Sequence, residues 1–88
     1  MKTKQFTVVD PLGIHARPAS QLVAAATPFA SSIELQTEQR TANLKSILGV
    51  MGLALKQGSM FTLNVEGEDE EQAFTALTKL ISETGLAQ

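Results

Sequence analysis

From Phe61 to Glu66 apolar and polar residues alternate without a break, with Phe61, Leu63 and Val65 on one parity and Thr62, Asn64 and Glu66 on the other. A strand of that pattern has one dry face and one wet face, so something must cover the dry one. Only a few residues later Ala73, Phe74, Leu77, Leu80, Ile81 and Thr84 recur at helical spacing. That stripe can lie on the strand's apolar face, and the pair demands a sheet with helices on one side.

The remaining segments fit the same plan. Residues 4–9 (KQFTVV) place Phe6 and Val8 on one face and end at the turn formers Asp10 and Pro11, which predicts a first strand. From Pro18, the residues Ala19, Leu22, Val23 and Ala26 follow helical spacing up to Pro28, predicting a helix over 16–27. Ile33 and Leu35 alternate with polar neighbours, and TANL can return beside them after the glycine-free turn TEQR. Ser46 then opens a short, glycine-interrupted helix in ILGVMGLAL, closed by Lys56, Gln57 and Gly58. Asp69 can cap the last helix with Gln72 as its capping-box partner, and Gly85 can end it. The expected fold is α+β, a two-layer open-faced sandwich of order βαββαβα, with a four-stranded antiparallel sheet and three helices on one face.

At 88 residues the chain has room for one core, so residues 1–88 are expected to form a single domain. With only four phenylalanines and no Tyr or Trp, that core must be aliphatic. The absence of cysteine removes disulfides, thiol chemistry and Cys-based metal sites. Net charge is −2 and five acids crowd between Glu66 and Glu71, which argues against a nucleic-acid footprint. No apolar leader or spanning segment is present, so a soluble, cytoplasmic protein without membrane insertion is expected.

The single histidine, His15, sits in GIHARPAS, where a strand has ended and a helix is about to begin. Gly13 allows a tight turn and Pro18 stiffens the first helical turn. The backbone amides of Ala16 and Arg17 would point outward unpaired at the positive end of the helix dipole. Such a terminus accepts anions, and the Arg17 guanidinium can fork onto phosphate oxygens. A neutral imidazole beside them is a competent nucleophile, so the group suits a transferable phosphoryl. One histidine without cysteine makes no usual zinc site, and neither GxxxxGKS/T nor GxGxxG occurs. No metal and no cofactor is therefore expected.

GIHARPAS, followed by NLKSILGVM at 43–51 and EGEDEEQA at 66–73, resembles the HPr family, the histidine-containing phosphocarriers of the bacterial phosphoenolpyruvate:sugar phosphotransferase system. The likeness spans essentially the whole chain. It implies a carrier, not an enzyme, in which His15 takes a phosphoryl group on Nδ1 from phosphorylated enzyme I and hands it to sugar-specific enzyme IIA domains. Arg17 and the Ala16 amide would steady the phosphate. NLKSILGVM is similar to the regulatory site of the Gram-positive members, which implies that HPr kinase/phosphorylase phosphorylates Ser46. That phosphate would impede transfer through His15 and create a docking form for the catabolite control protein A, hence a role in carbon catabolite repression. A serine there also reads simply as a helix N-cap, where added negative charge is tolerated.

The run after Ser46 has more apolar residues than a short helix can bury. Val50, Leu53 and Leu55 are assigned to the core, while Ile47, Leu48 and Met51, with Lys45 at the rim, are expected to form an exposed partner patch. Family members often carry Lys, Arg or Gln where this chain has Ala24, Thr27 and Pro28, and Leu12, Thr37 and Leu48 also depart from the usual pattern. Enzyme I binding is thus expected to be more hydrophobic and less salt-dependent. Two other readings, a regulatory module that carries no phosphate and a generic nucleic-acid-binding domain, are opposed by His15 and by the acidic balance respectively. A carrier that docks on many partners is most simply a monomer.

Overall fold

The computed structural model describes residues 1–88 and has the expected order: β1 (Lys2–Thr7), α1 (Ala16–Ala26), β2 (Ser32–Gln36), β3 (Thr41–Asn43), α2 (Ile47–Gly52), β4 (Met60–Glu66) and α3 (Glu70–Glu83). The strands form one antiparallel sheet in the order β1-β4-β2-β3. The helices lie on one face, giving an α+β open-faced sandwich. The alternating segment is central for the reason its pattern suggests: Phe61, Leu63 and Val65 are all buried, while Thr62 and Asn64 lie on the uncovered side.

Phe61 faces Phe6 across the β1/β4 ladder, and their rings stack with centroids 5.4 Å apart. Around this pair Leu22 of α1, Ile33 and Leu35 of β2, Leu44, and Leu77 and Ile81 of α3 are almost wholly buried. Burying each such side chain contributes on the order of 1.5–3 kcal/mol, so the sheet face and the two long helices hold each other in place. The glycine-free β2/β3 turn is closed by Thr37, whose hydroxyl donates to the Arg40 carbonyl at 3.1 Å and accepts from the Arg40 amide at 3.1 Å. A side-chain hydroxyl thus does locally what backbone geometry alone would need glycine for.

Several boundaries differ from the sequence expectation. Strand β1 covers Lys2–Thr7 and not 4–9: regular pairing with β4 ends at Thr7 and Met60, and Val8, still bonded to Ser59 O and Gly58 N, also bridges Ala87. The amides of Val9 and Asp10 both donate to the Leu86 carbonyl, at 2.9 and 3.2 Å. The chain's end has therefore claimed the residues that hydropathy assigned to the first strand.

Helix α2 stops at Gly52, well before Lys56, Gln57 and Gly58, which form a separate turn into β4. Ala54 has φ +51° and redirects the chain so that Leu55 enters the core. At α3, Asp69 occupies the N-cap position without capping through its side chain, and the expected pairing with Gln72 is absent. The Asp69 carboxylate instead accepts from the amides of Ala30 and Ser31, a tertiary contact that outcompetes the local one. Gly85 does end α3: it has φ +72°, and the bonds from Gly85 N to Ser82 O and from Leu86 N to Ile81 O make a Schellman closure. Thr84, counted in the apolar stripe, is exposed.

Candidate functional site

The loop between β1 and α1 is tied down at nearly every residue. The Asp10 carboxylate accepts from the Leu12 amide at 2.9 Å, Gly13 N donates to Asp10 O at 2.9 Å, and Ile14 N donates to Leu55 O at 3.0 Å. Gly13 has φ +68°, and a β-carbon there would run into the Leu55 carbonyl and lie 2.9 Å from Lys56 Cα. Glycine is needed both for the turn and for the close approach of the two loops.

This loop delivers His15 to the N-cap of α1 in an extended conformation (φ −108°, ψ −175°). Its carbonyl accepts from Ala19 N at 3.1 Å, which starts the helix, but its ring makes no capping bond. The imidazole is therefore left partly open to solvent, with 39% of its side-chain surface exposed. The Ala16 and Arg17 amides have no protein acceptor, as the sequence suggested, and Arg17 makes no ion pair.

His15, Arg17, Pro18 and Gln21 share a cleft of about 270 Å³ with Asp10, Thr84 and Leu86. Three parts of the chain meet here: the β1–α1 loop, the first two turns of α1 and the segment after α3. Within the cleft, His15 Nε2 lies 3.9 Å from Asp10 Oδ2. A partly exposed nucleophilic ring and a free guanidinium thus share the cleft at the start of a helix whose first two amides are unpaired, an arrangement able to receive an anionic group and to transfer it.

Asp10, Gln21 and Thr84 were missed as site residues in the sequence. Gln21 was readable in principle, since it follows Arg17 by one helical turn. Asp10 showed only as a turn former, and Thr84 reaches the cleft through the closure at Gly85, which no local pattern announces.

Ser46 is brought elsewhere. It is the N-cap of α2, its Oγ accepting from Gly49 N at 3.1 Å, and it lines a separate groove with Arg40, Asn43 and Leu48 between β3 and α2. Arg40 Nη1 donates to the Gly52 carbonyl at 3.2 Å, at the negative end of the same short helix. Val50 and Leu55 are buried and Leu53 packs against the core, whereas Ile47, Leu48 and Met51 are exposed, Leu48 by 86%. Lys45, just before this run, donates from Nζ to the Phe29 carbonyl at 2.6 Å and makes no ion pair.

No group of three or more His, Asp or Glu side chains is placed to hold a metal ion. No helix is long and apolar enough to cross a membrane.

A family model described as the phosphotransferase-system HPr component phosphorylation site matches residues 2–83. The chain belongs to the HPr family. It is 80% identical to the phosphocarrier protein HPr of Lysinibacillus sphaericus over 88 residues, all of both chains. Among solved structures, the histidine-containing phosphocarrier protein of a Mycoplasma superposes with a TM-score of 0.95 at 37% identity, covering 99% of each chain. Crh, a Bacillus subtilis catabolite-repression protein solved as a domain-swapped dimer, matches at a TM-score of 0.74 and 38% identity over 83% of this chain and 84% of its own. As an HPr, the chain is a phosphocarrier of the phosphotransferase system.

Proposed function

We propose that residues 1–88 act as one HPr domain in which His15 accepts a phosphoryl group on Nδ1 from phosphorylated enzyme I and passes it to sugar-specific enzyme IIA domains. The observation that carries this reading is the uncapped, partly exposed ring of His15 in a cleft with Arg17 at the open start of α1. Arg17 offsets the phosphoryl charge and the Ala16 amide donates to one of its oxygens, so transfer rests on positioning and charge stabilisation. The test is incubation with enzyme I and phosphoenolpyruvate. An acid-labile, base-stable phosphate should form and vanish in His15→Ala; its absence from the unaltered protein refutes the proposal.

Ser46 is the proposed regulatory position, phosphorylated by HPr kinase/phosphorylase and then recognised by catabolite control protein A in carbon catabolite repression. Its hydroxyl already accepts from the Gly49 amide at 3.1 Å, so a phosphate there meets the positive end of α2. Ile47, Leu48 and Met51 supply the adjoining apolar contact. With kinase and ATP an acid-stable phosphate should appear and be lost in Ser46→Ala. The carrier is proposed to work in the cytoplasm as a monomer.

A further inference from the structure

We propose that Asp10 is a positioning residue that sets the tautomer of His15, holding the ring proton on Nε2 and leaving the Nδ1 lone pair free to attack. This rests on His15 being the phosphoryl acceptor, and it adds a cause for which nitrogen reacts. Asp10 Oδ1 is engaged by the Leu12 amide at 2.9 Å, which fixes the carboxylate, while Oδ2 is directed at His15 Nε2 from 3.9 Å. The same residue is anchored a second time through its backbone, with its amide on Leu86 O and its carbonyl accepting from Gly13 N. Swinging the carboxylate away would cost the Leu12 contact, while the backbone bonds fix the position of its Cα.

A neutral imidazole bears one proton, and a carboxylate attracts it to the nearer nitrogen while repelling a lone pair there. The Nε2–H form is favoured for that reason, and no protein group bonds Nδ1. In the transfer step the Nδ1 lone pair forms the new bond to phosphorus, the donor's bond to phosphorus breaks and the donor keeps that electron pair. The Nε2 proton stays in place, and the positive charge that develops on the ring is met by Asp10 across 3.9 Å. Arg17, in the same cleft, handles the phosphoryl oxygens, so the cleft holds separate partners for the two charges.

Asp10→Asn tests this with a predictable sign. The amide oxygen can keep the Leu12 contact, which turns the NH₂ group toward Nε2 and favours a lone pair there. Long-range ¹H–¹⁵N NMR of the ring at alkaline pH, on protein without phosphate, should show Nε2–H in the unaltered chain and a raised Nδ1–H population in Asp10→Asn. Phosphorylation by enzyme I and phosphoenolpyruvate should slow on the order of five-fold, the size expected for one charge about 4 Å away near water. Asp10→Glu, which restores the carboxylate, should recover part of both. An unchanged ¹⁵N pattern in Asp10→Asn, or an Nδ1–H ring in the unaltered chain, overturns the inference. The NMR readout needs no phosphoryl transfer, so failure of the carrier proposal would show separately, as an unaltered protein that never gains phosphate.

Discussion

Asp69 and Ser31, 38 positions apart, are joined twice: the Ser31 amide and hydroxyl both donate to Asp69 Oδ1. Asp69 Oδ2 accepts from Ala30 N at 2.9 Å. Ser31 is the one buried polar side chain of the protein, and this carboxylate satisfies it. The contact latches the α1–β2 loop to the start of α3.

The Ser31 hydroxyl, followed by the Ala30 amide, holds the Asp69 carboxyl below its ordinary value of 3.8. A carboxylate depressed in the folded state stabilises above its unfolded pKa, and that stability is lost as pH falls through the folded one. Urea unfolding should therefore show stability declining from about pH 4 downward. Asp69→Asn should be less stable near neutrality and should flatten part of that decline. Glu70, lowered chiefly by the Gly67 amide, supplies another part, so the slope should not vanish completely.

Ala54 and Gly52 have each other's ideal places. Ala54 sits at φ +51°, while Gly52 ends α2 with nothing within 4 Å of where its β-carbon would be. Ala54→Gly relieves a left-handed alanine and should add about 1 kcal/mol. Gly52→Ala removes glycine from a helix and should add about 0.5–1 kcal/mol. Thermal or denaturant unfolding of the two single variants measures both; a loss of stability in either contradicts the reading.

Ser46→Ala should cost about 1 kcal/mol by removing the α2 cap, whereas Ser46→Asp should keep the cap and add favourable charge at the helix start. If Ser46 phosphate impedes transfer through repulsion at a shared partner surface, Ser46→Asp should also slow phosphorylation of His15 by enzyme I. Unfolding curves and transfer rates on the same samples separate the two effects.

Leu48, 86% exposed, should be replaceable by alanine within about 0.5 kcal/mol of stability. Its truncation should nevertheless weaken enzyme I binding by about tenfold or more if it anchors the patch. Arg17 is the only cation on α1, with Ala24, Thr27 and Pro28 adding none, so the transfer rate should fall only gently with salt. A steep salt dependence would show that other cations take part.

Much of this molecule is written in short-range patterns. The period-two run at Phe61, Leu63 and Val65 and the helical stripe from Ala73 to Ile81 determine a covered sheet, because each pattern has a single face to bury. Gly13, Ser46 and Gly85 mark turns and caps correctly, since left-handed backbone and open helix amides restrict residue choice within a few positions. His15 and Arg17 stand out for the same local reason. What the sequence could not settle depends on partners far along the chain. Asp69 forsakes a cap for Ser31, Lys45 is drawn to Phe29, and Val8 and Asp10 are claimed by the segment after Gly85. In each case a hydrogen bond or strand bridge to a distant segment displaced the local arrangement. Only the tertiary structure brings Asp10 and Thr84 into one cleft with His15, because the loop before α1 and the chain beyond α3 meet through backbone bonds to Leu86.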